Sequence, residues 1–466
     1  MSPNDALAEL LLELDRTHAP GYYQSDAFQK DRDFPNFTTA ANGEVRNFHK
    51  PARKLLEVLA VAIYEQHSTI NKRIDEKRFA ELVRQVVADL HASEALVNVA
   101  KPLKALVDEL TDRVDKASLT FTHSFPAWTF GVEDVGEWAF GPVTFLTWPQ
   151  WLNRVDFPDH VKATVFNEPE ANARWKDLLL ESMKGRNKPA PAGLAGMFVS
   201  SVTSCPAVLR VEVGGLERNQ SRKLAEIVCK GALDAVSLLV GQRQSFVQQA
   251  LQVERLPPIG IDSIVESNGY LWMPGNSLTG RVPSMEGSRV RQFLQDFPAE
   301  IQAMAHAVNG LLDRSHPHPQ LASRWATALD WYAEGQRERS DAVALAKIGT
   351  SLDVLASGGK FAGILNLLTN LLGVPEGATL TQGVKQRTLR AVVKDIYDNG
   401  RSQILHGSRH DRMEAFESDR NVAAFLARLA LIEAALRLKR YSGNDDAKAF
   451  TNMPARISQV TPSGTQ

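Results

Sequence analysis

Apolar and polar positions near the start of the chain alternate with a helical period. Asn4 to Asp15, Val45 to Gln66, Glu76 to Leu90 and Pro102 to Asp115 are each expected to form a helix. In the second of these, Leu55, Leu56, Leu59 and Ala62 fall on one side and supply a face for burial. From about Ser118 the period shortens. Leu119 and Phe121 alternate with Thr120 and Thr122, and Val143 and Phe145 flank Thr144, the two-residue repeat of half-buried strands. Further on, Val208, Leu209, Val211 and Val213 predict a strand and Gly214-Gly215 a turn. Ser221 is then expected to cap a helix that reaches about Val240. Asn268 and Gly269, between Ile264-Val265 and Tyr270-Leu271-Trp272, predict a hairpin. Lys184 to Gly196, with three glycines and two prolines, is expected to be a surface loop or a hinge within the mixed domain.

A helix from about Ser288 to Leu312, interrupted at Pro298, runs into His316-Pro317-His318-Pro319, which is expected to be a linker between domains. Two alternating histidines between prolines do not make a closed metal site, and none is expected there. Beyond Leu321 the pattern is purely helical. Trp325, Leu329 and Tyr332 share one stripe, and Ser340 begins a helix with Leu345, Ile348, Leu352 and Leu355 on one side. Phe361 to Leu372 and Val384 to Asp398 come next, the latter turning Leu389, Val392, Val393, Ile396 and Tyr397 inward. A last helix, about Ser418 to Arg440, is expected to bury Val422, Phe425, Leu426, Leu429, Ile432 and Leu436. The fold class is therefore α+β and multidomain. A helical region over 1–117 and a mixed α+β domain over 118–315 precede an up-and-down helical bundle over 320–441, and a disordered tail is expected over 442–466.

Composition narrows the function. Hydrophobic residues at 44% and charged residues at 23% are ordinary for a globular chain. No apolar run is long enough to span a membrane, and the N-terminus, with Asp5, Glu9, Glu13 and Asp15, lacks the basic and apolar halves of a secretory signal. With only Cys205 and Cys229, the chain is expected in a reducing cytoplasm, both thiols buried. A formal net charge of -1 argues against a general nucleic-acid coat protein. Between positions 385 and 412, however, Lys385, Arg387, Arg390, Lys394, Arg401, Arg409 and Arg412 outnumber Asp395, Asp398 and Asp411, an excess able to hold a phosphate chain.

Within that stretch, Asn399-Gly400 is expected to end one helix, and Gly407 to stop the next turn in a left-handed conformation. Arg401 and His406 would then share a short segment between two breaks. In an unbroken helix five residues rotate the direction by about 140°, so the two side chains converge only if the segment is kinked or two copies of the domain face each other. The run Ile396-Tyr397, then Arg401-Ser402-Gln403-Ile404-Leu405-His406-Gly407, resembles the signature of the ApeA-like branch of the HEPN superfamily: arginine, four to six residues, histidine and often glycine, after a helix ending in an aromatic residue. Ser351-Leu352-Asp353-Val354-Leu355 resembles that family's earlier helix, which carries an acidic residue after a leucine. Many active members have Asn, Asp or His where Ser402 stands. The likeness covers Leu321 to Tyr441.

This resemblance implies a metal-independent endoribonuclease with no cofactor and no metal. Arg401 and His406 would be catalytic, Ser402, Gly407, Tyr397 and Asp353 supporting, and Lys394, Arg390, Arg409 and Arg412 would bind RNA. Histidine, whose ordinary pKa is about 6.5, moves protons near neutrality, and a guanidinium holds two oxygens of a crowded phosphate. The 2′-hydroxyl of the RNA would attack, leaving a 2′,3′-cyclic phosphate. The resemblance further implies a homodimer, a part in bacterial anti-phage defence by abortive infection, and an N-terminal region that answers a phage-derived trigger. The alternative is a non-catalytic HEPN module for dimerisation or for binding nucleic acid or nucleotide. No phosphate loop, metal-protease motif or nucleophile elbow points to an N-terminal enzyme.

Overall fold

The structure is a computed structural model that describes residues 1–26, 28, 33–165, 174–184, 205–255, 265–272, 286–381, 386–409, 411 and 414–453. The expected loop over 185–196, together with Ile264, Val384, Lys385, His410, Arg412 and the chain beyond 453, lies outside them. Two compact units divide the chain: Met1–His123 with Glu212–Ala225, and Ser124–Val211 with Glu226–Gln466.

In the first unit, helices α1 (Pro3–His18), α2 (Lys50–Gln66), α3 (Glu76–Ala92) and α4 (Pro102–Ala117) surround one core of Leu7, Leu10, Leu59, Phe79, Val86 and Leu110. Their starts are chemically marked. Ser2 and Asp5 bond each other's backbone ahead of α1, and Asp75 accepts from the Lys77 amide ahead of α3. The second helix is shorter than expected. Val45–Phe48 instead forms strand β2, paired antiparallel with β1 (Asn36–Thr39), and the helix begins only after His49 with Pro51 in its first turn.

The second unit contains most of a five-stranded sheet of β3 (Phe121–Trp128), β4 (Trp138–Phe140), β5 (Val143–Thr147), β6 (Ala207–Val213) and β7 (Ala250–Leu251), in the order β4-β5-β6-β3-β7. Val143 pairs with Val211 and Phe145 with Leu209, so the apolar alternation seen in the sequence lines one buried face. Asn268 and Gly269, both at positive φ (54° and 79°), close the expected hairpin between β8 (Val265–Ser267) and β9 (Tyr270–Trp272). Helix α5 (Arg218–Val240) starts before Ser221, which is buried inside it rather than capping it.

Helices α6 (Gly287–Asp296) and α7 (Pro298–Asn309) break at Pro298 as expected. Then come α8 (Pro319–Arg337), α9 (Asp341–Leu355), α10 (Lys360–Leu372), α11 (Leu389–Leu405, with a wide turn over Asp395–Ser402) and α12 (Glu417–Leu438). Trp325 is fully buried and donates its indole N–H to the Leu431 carbonyl at 2.8 Å. A Cβ at Gly335 would lie 2.6 Å from Ile348, so glycine sets how closely α8 approaches α9. Thr388 caps α11, which therefore starts five residues later than the sequence pattern suggested.

Three further expectations are corrected. The His316–Pro319 segment is packed rather than a free linker: His316 and His318 are buried, with both ring nitrogens of His316 and the Nε2 of His318 paired inside the protein. Residues 442–453 are ordered: Asp445 accepts from the Gln320 and Leu321 amides at 2.8 and 3.0 Å, and α13 (Ala449–Asn452) packs on α10 with Phe450 buried. Those carboxylate oxygens answer amides that a helix start leaves open. In α12, the buried face is the one carrying Ala423, Ala427, Ala430 and Ala434, while Phe425 is 59% exposed. Of the six residues expected inside, Leu426 and Leu436 are buried, Val422, Leu429 and Ile432 are half-buried and only Phe425 is exposed; small side chains admit neighbouring helices, so the buried face is turned toward the alanines.

The bundle is tied to the second half of α5. Arg337, on α8, pairs with Asp234; Lys230 contacts Glu334 at 3.2 Å; and Arg428, on α12, donates to the carbonyls of Leu238 and Leu239 at 2.8 and 2.7 Å. Arg337 and Asp234 are both buried, and truncating Arg337 would remove the partner of the buried Asp234 carboxylate at a cost of about 3–5 kcal/mol, whereas Arg337 without Asp234 would keep Glu334 at 2.9 Å.

Candidate functional site

The expected break at Asn399-Gly400 is not a break. From Asp395 to Ser402 the helix widens to i→i+5 bonding and then resumes as Gln403–Leu405, so α11 is continuous through the motif. Such wide turns carry one extra residue per turn and re-aim the side chains of the next turn. Gly400 permits the approach to α9. A Cβ there would lie 2.9 Å from both the Asp395 carbonyl oxygen and a Leu345 methyl. Across the contact, a Cβ on Gly349 would meet the Arg401 Cβ at 3.1 Å. Glycine on each helix thus lets the base of Arg401 lie directly over α9. Motif reading had not singled out Gly349, and its position four residues before Asp353 in the helix was the available signal.

From that base the guanidinium reaches two partners. Arg401 Nη2 is 3.4 Å from Asp353 Oδ2 and Nη1 donates to the Tyr397 hydroxyl at 3.2 Å, with the guanidinium carbon 5.2 Å from the Tyr397 ring centre. Asp353 is held in turn, its other oxygen accepting from the Lys360 amide at 2.9 Å. Burial raises the Tyr397 hydroxyl's pKa above the ordinary phenol value; Asp353 adds to the rise and Arg401 opposes it. Tyr397 therefore stays a neutral donor and acceptor. The Arg401 side chain keeps 26% exposure, while its Nε is buried without a partner.

His406 ends the helix. Its amide donates to the Ser402 carbonyl at 3.0 Å, Gly407 takes the left-handed conformation (φ 74°), and the Ser408 amide returns to the Gln403 carbonyl at 2.9 Å. The imidazole is exposed, and among the described residues no hydrogen bond or ring contact joins it to Arg401, Tyr397 or Asp353. So three of the expected site residues come together, and His406 stands apart at the end of the same helix. Ser402 is half-buried within the wide turn.

No protein-family model, curated protein or solved structure matches this chain.

The local excess of cations is largely answered by acids. Arg387 binds Asp395 at 2.9 Å and also Asp419; Arg390 binds Glu376 at 2.7 Å beside the Phe361 ring. Arg409 is a staple: it pairs with Glu414, donates to the Asn399 carbonyl at 3.0 Å and lies 4.6 Å from the Phe416 ring centre. Of the four expected RNA-binding cations, Lys394 is exposed and has no such pair among the described residues, and Arg412 lies outside them. Among the described residues no three His, Cys, Asp or Glu side chains are grouped to hold a metal, and no helix is long and apolar enough to cross a membrane. Both cysteines are buried free thiols.

Proposed function

We propose that this chain is a metal-independent endoribonuclease of the HEPN type. The observation that carries this reading is the state of Arg401: a partly exposed guanidinium fixed by Asp353 and Tyr397, on the helix that ends in an exposed His406 whose ring has no partner among the described residues. A positioned cation stabilises the charge that develops on a phosphorane without reorganising during the reaction, and a free imidazole can exchange protons with solvent and substrate. The 2′-oxygen would attack phosphorus while its proton passes to a base, and the P–O5′ bond would break as the leaving oxygen gains a proton. Two copies of the domain would supply two such motifs to one cleft. The resemblance carries this further, to a cytoplasmic enzyme of anti-phage defence acting by abortive infection, with the N-terminal region answering a phage-derived trigger.

A specific observation favours a second reading. The ion pairs made by Arg387, Arg390, Arg401 and Arg409 leave few free cations among the described residues of this stretch, which suits a non-catalytic HEPN module used for dimerisation or for binding nucleic acid or nucleotide. One experiment separates the two. Purified protein incubated with end-labelled RNA in EDTA is expected to give fragments with 2′,3′-cyclic phosphate and 5′-hydroxyl ends, leaving DNA of the same sequence intact. Arg401→Ala and His406→Ala should each slow cleavage by about 100- to 10,000-fold. Variants as active as the parent would remove both residues from the chemistry, and an inactive parent would select the second reading.

A further inference from the structure

Away from the motif, three histidines are joined in a chain. His306 lies on α7, and His316 and His318 lie in the turn that leads into α8. The Nδ1 of His316 receives the backbone N–H of His318 at 3.1 Å, and its Nε2 is 2.9 Å from His306 Nε2. His318 Nε2 is 2.9 Å from the Gly443 carbonyl. His316 and His318 are buried and His306 is half-buried.

Elementary valence fixes the protons. A backbone amide only donates, so His316 Nδ1 must be bare and its proton must sit on Nε2. That proton points at His306 Nε2, which must therefore be bare as well, leaving the His306 proton on Nδ1. A carbonyl only accepts, so His318 donates from Nε2. In this arrangement each bond has one donor and one acceptor. Any further proton on His306 or His316 breaks it. Protonating His316 at Nδ1 removes the acceptor for the His318 amide. Protonating His306 at Nε2 sets N–H against N–H, unless the His316 proton moves to Nδ1 and breaks the other bond instead.

We propose that this histidine chain is an acid-operated latch, closing the α7–α8 turn and, through Gly443, the strap formed by residues 443–453 only while His306 and His316 are both neutral. The strap is a real fastening. Asp445 caps the start of α8, the Asn370 amide donates to the Thr451 carbonyl at 2.8 Å, and Phe450 is buried. The charged and titratable groups facing the pair are His318, Lys439 at the end of α12, Asp313 in the turn and Asp445 in the strap. Burial holds His306 below the ordinary histidine range, and the charges of His316, Lys439 and His318 act in the same direction. Burial also lowers His316; the His318 backbone contact opposes this, the charge of His318 adds to it, and Asp313 and Asp445 oppose it, with the net direction downward. The folded state thus binds fewer protons than the unfolded chain below about pH 6.5, so the latch's contribution is present above that pH and is lost as pH falls through the lowered values.

Hydrogen exchange of the full chain, followed residue by residue and corrected for the intrinsic effect of pH, tests the latch. Between pH 7 and 5 the His318 amide and the amides of 443–453 are expected to lose protection, by up to about tenfold per pH unit for each proton taken up. The double variant His306→Gln, His316→Asn keeps an acceptor near each bare nitrogen without titrating, and should make protection in these segments independent of pH over that range. The same acid loss of protection in the double variant would overturn the latch. Should that variant not fold, the wild-type imidazoles are titrated by NMR: values below 6.5 that coincide with a change at the His318 amide support the latch, and values at or above 6.5 overturn it.

Discussion

Two groups of histidines in the second unit meet opposite circumstances. His406, at the end of α11, is exposed, and among the described residues its ring has no hydrogen-bond partner. His306 and His316, at the α7–α8 turn, are held ring to ring, and His316 has both nitrogens committed. A ring with both nitrogens engaged has neither a lone pair nor a proton to give to a substrate, whereas a free ring has both. Residue type therefore says less about role than what each nitrogen already does. The two places also share a device, because each is brought to close quarters by glycine: Gly310 beside His316, and Gly349 with Gly400 beneath Arg401.

The contrast is broken most strongly from the Arg401 side. Asp353→Ala removes the carboxylate that fixes the guanidinium and the acceptor of the Lys360 amide. Misplacing a reacting group by about 1 Å can cost about 100-fold in rate, so cleavage in EDTA is expected to fall by up to about that factor, chiefly in kcat. An unchanged rate would mean that Asp353 does not position Arg401. On the other side, Gly310→Ala should act on stability and leave cleavage per folded molecule alone. A Cβ there would lie 2.5 Å from the Ala322 Cβ and 3.0 Å from His316 Nδ1, and neither backbone can give way without moving a helix. Overpacking of this kind costs about 1–3 kcal/mol, to be read as a lower denaturation midpoint at pH 7.5. An unaltered midpoint would indicate a turn with room to spare and a loose latch.

Legibility in the sequence followed local chemistry. Trp325, Leu329 and Tyr332, and Leu345, Ile348, Leu352 and Leu355, are buried as their spacing requires, because apolar stripes on α8 and α9 meet each other directly. Arg401, Tyr397 and Asp353 could be named from the motif and do meet. Hidden were the features that depend on approach between distant segments. Asn399-Gly400 has the composition of a helix end, but the same glycine lets α11 widen and continue against Leu345. The His316-Pro317-His318-Pro319 run has the composition of a linker, yet its imidazoles find His306 and Gly443, partners that sequence spacing cannot supply. Seven cations near the motif suggested a phosphate-binding face; the acids that answer several of them, Asp353, Glu376 and Asp419 among them, come from other helices or turns.

The smallest expected effect comes from the helix that packs on both α7 and the wide turn of α11. On α12 the alanine face is buried, and Phe425, the largest apolar side chain of that helix, points away from it and remains 59% exposed. Phe425→Ser therefore removes little surface that folding had taken from water, and exposed substitutions of this sort stay within about 0.5 kcal/mol. Neither readout of the contrast should move: not the denaturation midpoint in dilute protein, nor cleavage per folded molecule. A loss above about 2 kcal/mol that grows with protein concentration would instead mean that a second copy covers Phe425, since only association makes stability depend on concentration. An equal loss at every concentration would put Phe425 inside the fold and overturn the face assigned to α12.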